Sequence, residues 1–330
     1  MAMRIDPSTK AQGQSRANEV RRGIDLSKIK TIHLDTRKCK VSIKNFARPM
    51  KKGSSFKNFY DSLPAVLASS NFKAVVDAIV SAHKRKRIVI FMMGAHVIKC
   101  GLSPLIIDLM KRGVVKAIAL NGAGIIHDTE IAMIGRTSED VGEGIVNGSF
   151  GMAEETASFI NGAINYGFRN GLGIGESLGG RIAKSKYSCK DLSILATGYK
   201  LGIPVTVHVA IGTDIIHQHP SAVGMAIGEG SLLDFKTFVY SVSKLRSGVA
   251  VNIGSAVILP EVFLKAVTVA RNLRYKVHKF TTANFDMINQ YRPHQNVLSR
   301  PTSTGGKGYN IIGHHEIMIP LLYRSIMEKI

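Results

Sequence analysis

Short, mostly apolar runs alternate along this chain with longer stretches in which apolar positions recur three or four apart. The short runs are Arg87–Met93, Val115–Leu120, Ile203–Ala210, Val249–Ile253 and Tyr275–Thr281. Runs without polar alternation fit parallel strands covered on both faces, and the helical spacing between them fits crossover helices. Ahead of the first run, Leu63–Ala82 places Leu67, Phe72, Val75, Val76, Ile79 and Val80 on helical spacing. It leads into Lys84-Arg85-Lys86-Arg87, cations that suit a helix C-terminus. Pro260–Leu273 reads as another helix, with proline in its first turn, and the chain closes on an amphipathic helix after Glu316. The pattern predicts an α/β protein with a doubly wound, mostly parallel sheet.

Two regions depart from that rhythm. Between Ile131 and Ser188 glycines cluster, from Gly142-Glu143-Gly144 to Gly171-Leu172-Gly173-Ile174-Gly175. The stretch is too long for a passive connection, which predicts helices separated by exposed turns. Residues 1–23 are polar with almost no apolar period and read as a mobile arm, followed to Gly53 by short apolar islands among Lys and Arg. The expected organisation is a basic arm and lead-in over 1–60 and a single α/β domain over 61–330.

Charge sharpens this division. The chain carries 44 Lys and Arg against 23 Asp and Glu, a net charge of +21, and residues 1–87 alone hold 20 basic and 6 acidic side chains. Such a segment suits an acidic protein partner; nucleic acid is not expected, because aromatic interleaving is thin and no recognition motif accompanies the charge. No apolar stretch approaches the roughly 20 residues that span a membrane, and the N-terminus lacks the apolar core of a secretory signal. Cys39, Cys100 and Cys189 are scattered and odd in number, as in a reducing cytoplasmic compartment.

In a parallel sheet, ligands sit beyond the carboxyl ends of the strands, so the residues that follow each run are the candidates for chemistry. After the first come Gly94, Ala95 and His96; after the second, Asn121-Gly122-Ala123-Gly124 and then Asp128. Small residues here let backbone N–H groups approach a pyrophosphate. The third run leads into His208, Thr213, Asp214, His217 and His219, a carboxylate and three imidazoles within a dozen residues. His217 and His219 have the spacing of a metal pair, but no third ligand is specified, and no metal is expected. Gly254 and Ser255 follow the fourth run; Thr282, Ala283 and Asp286 follow the fifth; Lys307, His314, His315 and Glu316 come near the end.

Taken in order, these elements resemble the deoxyhypusine synthase family over roughly residues 87–325. Ala119–Asp128 is similar to that family's strand ending in Thr-Ala-Gly-Gly before acidic residues, where its dinucleotide binds. Gly202-Ile203-Pro204-Val205 followed by Thr213-Asp214 resembles its Ile-Pro-Val strand and the aspartate that handles the polyamine. Gly248–Ala256 resembles its triple-glycine turn, and Thr282-Ala283-Asn284-Phe285-Asp286 its Thr-Ala-Gln-Glu-Phe-Asp turn, a cofactor contact. The resemblance implies a Rossmann-like fold and a homotetramer with sites at subunit interfaces. It also implies an NAD that takes hydride from a spermidine carbon beside nitrogen, and an enzyme lysine that carries the resulting imine to a lysine of a translation factor.

The chain departs from that pattern in the substrate half. It has no tryptophan, whereas the family's nucleophilic lysine follows Trp-Gly; Lys307 is the nearest counterpart. Leu259-Pro260-Glu261 stands where the family has Lys-His-His, which makes Glu261 a candidate substrate contact. The expectation is an NAD-dependent transferase of alkyl-imine groups on a polyamine or related amine, distinct from authentic deoxyhypusine synthesis. In it Asp214, Asp286 and Glu316 would recognise the amine, His217 or His219 would move protons, and Lys307 would carry the imine. His314 and His315 would join Gly94, Ala95, His96, Asn121, Gly122, Ala123, Gly124, Asp128, Gly254, Ser255, Thr282 and Ala283 around the NAD. An NAD-dependent lyase or oxidoreductase on another metabolite, and a non-catalytic NAD-binding protein, stay open.

Overall fold

The computed structural model describes residues 6–330, which form two units: one up to Asn45, the other Phe46–Ile330. In the smaller unit the expected arm contains a helix, Pro7–Arg22. Its ends explain it better than its faces do. The Asp6 side chain accepts from the Ser8 N–H at 3.0 Å, proline opens the first turn, and Arg21 and Arg22 close the last. Three single 3₁₀ turns follow, Leu26–Lys28, Leu34–Thr36 and Ile43–Asn45. The lead-in between 46 and 60 groups with the larger unit, where Tyr60 is buried and its ring lies 6.5 Å from that of Phe72.

The larger unit is built on six strands: β1 (Val89–Met93), β2 (Ala117–Asn121), β3 (Val205–His208), β4 (Val249–Ile253), β5 (Thr281–Asp286) and β6 (Lys307–Ile312). They lie in the order β3-β2-β1-β4-β5-β6, and every neighbouring pair is parallel. The chain leaves β1 toward β2 and β3, then crosses back to place β4 on the other side. The switch point is therefore the β1/β4 boundary.

β1 is buried at all five positions, and its alternate residues feed different cores. Val89, Phe91 and Met93 pack with the helices Leu67–Lys84, Ser103–Lys111 and His315–Met327 on one face. Ile90 and Met92 pack with Gly224–Ser243 and Ile258–Asn272 on the other. Burial of a Val, Ile, Phe or Met side chain contributes roughly 1.5–3 kcal/mol, so such a strand needs no polar face to be stable.

Two expectations are corrected here. Tyr275–Thr281 is not the fifth strand; that strand begins at Thr281, six residues later, and a sixth follows it. β5 reads as polar because its polar groups serve one another. Asn252, Asn284 and Asn310 stand opposite each other on β4, β5 and β6. Asn252 Nδ2 donates to Asn284 Oδ1 at 2.8 Å, and Asn284 Nδ2 to Asn310 Oδ1 at 2.9 Å. A ladder of amides thus replaces apolar packing inside the sheet.

The glycine-rich stretch forms the helices Val141–Asn147, Glu154–Asn170 and Ile174–Lys184, as the sequence predicts. Its glycines mark close approach. A Cβ on Gly175 would run into the Val205 carbonyl oxygen, which fixes how near Ile174–Lys184 lies to β3. Among the described residues no helix is long and apolar enough to cross a membrane.

Candidate functional site

The carboxyl ends of the strands gather most of the residues singled out by sequence, in two neighbourhoods. One lies at the switch point. A Cβ on Gly94 would collide with the Gly254 carbonyl oxygen, so the turns after β1 and β4 touch through bare backbone, with Gly254 at φ +65°. Ser255 Oγ accepts from the Leu259 N–H at 3.2 Å and so caps the helix Ile258–Asn272. His315, 1% exposed, lays its ring on Gly254 and hydrogen-bonds the Phe285 carbonyl through Nε2 at 3.2 Å. Its Nδ1 is buried without a partner, as is Asn252 Oδ1 in β4. The His96 ring meets His315 edge-on at 5.5 Å, and burial together with His315 lowers the His96 pKa. Asp286 ends β5 and uses Oδ1 to accept from the Met287 N–H at 2.8 Å, while His314 lies on the surface, 3.8 Å from Glu316 Oε1.

The second neighbourhood lies beyond β2 and β3. Asn121 caps the helix Gly122–Ile134, its side chain accepting from the Gly124 N–H at 3.0 Å. Against this N-terminus sits Asp214, whose carboxylate occupies the place a Cβ on Gly122 would take. Asp214 Oδ2 is buried without a hydrogen-bond partner, and burial raises its pKa, partly offset by His217. A helix N-terminus favours a negative charge, and here the chain supplies its own. A pyrophosphate at Gly122-Ala123-Gly124 would therefore meet the Asp214 carboxyl group beside Gly122.

Asp214 faces a cavity of about 230 Å³, whose walls include Lys99, His127, Glu130, Glu139 and Thr213. Ala123 also lines it. Sequence reasoning passed over Lys99, His127, Glu130 and Glu139 because it stopped at the strand ends, whereas these side chains stand about a turn further on or in the glycine-rich stretch. The His127–Glu130 spacing of three on a helix was the available signal. Thr137 Oγ1 donates to Glu130 Oε2, so it accepts from His127 Nδ1 at 2.7 Å, which fixes the proton on Nδ1. Thr156 Oγ1 holds the other Glu130 oxygen at 3.1 Å. Burial, and secondarily Lys99, lowers the His127 pKa to about 4, which keeps the ring neutral.

An adjoining cavity of about 270 Å³ is lined by Asp214, His217, Phe150 and Gln218. His217 Nδ1 accepts from the Gly212 N–H at 3.1 Å and the Asp214 N–H at 3.4 Å, which shapes the loop; its Nε2 is buried and unpartnered. His219 lines neither cavity and instead bonds Ser221 at 2.7 Å. His208, the last residue of β3, is packed on Phe238, and burial lowers its pKa to about 3.

Several candidates stand elsewhere. Lys307 opens β6, paired with Thr281 at the amino end of the sheet. Five residue steps separate it from the carboxyl edge, about 17 Å along the strand, farther than a lysine reaches within one chain. Asp128, 1% exposed, accepts from Ser193 Oγ and from the Ile194 and Leu195 N–H groups, so it caps the helix Ile194–Leu201. Thr282 and Ala283 are wholly buried in the amino half of β5. Glu261 pairs with Lys265 and, at 3.4 Å, Arg292, and accepts from Asn296 at 2.8 Å, which ties the 291–299 segment to its helix.

No protein-family model matches the chain, and no curated protein does. Solved structures match by shape. A candidate deoxyhypusine synthase from Entamoeba histolytica superposes with a TM-score of 0.51 at 11% identity, covering 86% of this chain and 96% of that one. Unliganded AgrE superposes with a TM-score of 0.51 at 14% identity, covering 80% of this chain but 34% of AgrE, so the chain spans about a third of that protein's length. AgrE in ternary complex with ornithine and NAD+ gives a TM-score of 0.49 at 15% identity. The likeness is one of fold: a doubly wound, Rossmann-like parallel sheet shared with a protein of deoxyhypusine synthase description.

Proposed function

We propose that the chain is a nicotinamide-dinucleotide-dependent enzyme acting on a small cationic amine. One observation carries this reading: on a chain of net charge +21, three carboxylates, Glu130, Glu139 and Asp214, converge on one cavity at the carboxyl edge of the sheet. Against them the same wall sets one lysine, Lys99, and the neutral His127, so its balance is acidic and suits an ammonium group.

The switch point is where the dinucleotide would sit. Gly94-Ala95 and Gly254-Ser255 would hold it, because both turns stand at the carboxyl ends of β1 and β4 and the buried Asn252 Oδ1 and His315 Nδ1 beside them lack partners. When bound, the dinucleotide supplies an acceptor for hydride from the carbon beside nitrogen. The chain's own residues do the rest. Asp214 and Glu139 hold the substrate cation. His127, neutral and with its proton fixed on Nδ1, would accept a hydrogen bond from the amine at Nε2. Lys99, on the wall of the same cavity, replaces Lys307 as the amine placed to add to a substrate imine and release the original amine. Transfer of an alkyl-imine group is the finer reaction this supports.

The test is to incubate the protein with NAD+ and a panel of mono-, di- and polyamines and follow reduced nicotinamide. Amine-dependent reduction is expected, lost in Asp214→Asn while NAD+ binding persists. Reduction by none of the amines would overturn the reading.

A further inference from the structure

Beside the switch point the chain places a third set of groups that the amine reading does not use. His96 begins the short helix His96–Lys99 and Cys100 caps its end, so the two stand four residues apart on one face. Glu316 lies in the first turn of the helix His315–Met327 and reaches the same spot from the opposite end of the sequence. One donor atom from each, an imidazole nitrogen, the thiol sulfur and a carboxylate oxygen, lie within 4.8 Å of one another, with Cys100 Sγ 3.9 Å from Glu316 Oε2.

We propose that His96, Cys100 and Glu316 form a binding site for a divalent cation of the zinc class. The donor set argues for that class: nitrogen, sulfur and oxygen together suit a borderline ion, whereas magnesium and calcium require oxygen alone. The spacing argues for it too. Donors around tetrahedral zinc stand at bond lengths of about 2.0–2.3 Å from the ion, and rotation about side-chain bonds closes 4.8 Å to what those lengths demand. Three protein ligands leave a fourth position open, the arrangement of sites that bind water or substrate. The ion would join two elements far apart in sequence, the short helix after β1 and the last helix. Lys99, on the same short helix, lines the cavity of Asp214, and its charge also acts on His96 and Cys100.

Cobalt(II) titration of the metal-free protein tests this, because cobalt bound to thiolate gives a charge-transfer absorption that carboxylate and imidazole sites lack. One equivalent with that band is expected, displaced by zinc. Cys100→Ser should abolish the band, and Glu316→Gln, at a half-exposed position where folding is not at risk, should weaken cobalt binding at least tenfold. Absence of the band from the folded protein would overturn the proposal. So would a band that survives in Cys100→Ser, which would assign it to Cys39 or Cys189, or a Glu316→Gln variant that binds as tightly as the parent. Neither outcome bears on NAD+ binding or amine-dependent reduction, so failure here and failure of the amine reading are separable.

Discussion

Asp234 shows how a single side chain can hold two elements and also set a pH response. It lies 3% exposed on the helix Gly224–Ser243 and accepts from the Gly175 N–H at 2.9 Å and the Val207 N–H at 2.8 Å. Burial raises its pKa to about 7, the two hydrogen bonds offsetting only part. A carboxyl with a raised folded pKa adds stability below its unfolded value, and that stability is lost as pH rises through about 7. His127 and His208, whose pKa values burial lowers, act in the opposite direction, and the unfolded imidazoles are already half protonated at about pH 6.5. Between pH 8 and 6.5 the gain of about 0.8 kcal/mol through Asp234 is therefore nearly offset by a loss of about 0.4 kcal/mol at each histidine. Unfolding free energy should change little on that descent in the parent, whereas Asp234→Asn should lose roughly 0.8 kcal/mol over it in urea titrations at the two pH values. Little of this was legible in sequence, where Asp234 is one acid on an amphipathic helix. Asp214 was legible, since it stands at a strand end among histidines; that its carboxyl group lies beside Gly122 was not, because the contact joins residues ninety apart.

At the level of elements, the cap on Ile194–Leu201 shows where sequence-based roles went astray. Asp128 follows the glycines of a helix start, as a nucleotide contact would, yet its position at the end of the second turn turns it inward onto Ser193, Ile194 and Leu195. Asp128→Ala leaves buried N–H groups unpaired and should cost about 2–4 kcal/mol, read as a lower urea midpoint at unchanged slope, whereas Asp128→Asn keeps an acceptor and recovers most of it. β1 to β4 were legible because their runs are mostly apolar, with Thr206, His208 and Asn252 the polar exceptions inside β3 and β4. β5 was not, for a physical reason: Thr281, Thr282, Asn284 and Asp286 look like a loop until Asn252 and Asn310 are seen opposite Asn284. Tyr275, Val277 and Phe280 made the preceding loop look like a strand, although they alternate with Lys276, His278 and Lys279. β6 was hidden by Gly305-Gly306 and by its exposure at the sheet edge.

The whole molecule divides at Asn45. Residues 1–45 hold eleven basic and four acidic side chains, and Val20, Ile24, Leu26 and Ile43 among them are largely exposed. Removal of this unit should leave the remainder folded, with a melting temperature within a few degrees of the parent, and should lower the salt needed to elute it from heparin; a loss of cooperative melting would count against the division. The rest of the chain keeps a positive excess, and that has a kinetic consequence for the acidic cavity at the sheet edge. On the proposed reading, an amine nearing the protein would climb a repulsive field before it reached Glu130, Glu139 and Asp214. At physiological salt the field is screened over about 8 Å, while contacts inside the cavity are screened far less. Added salt would then hasten entry more than it loosened the hold, the reverse of the steering usual between opposite charges. Such a cavity would filter by patience, admitting cations slowly and keeping longest those whose charges match its carboxylates.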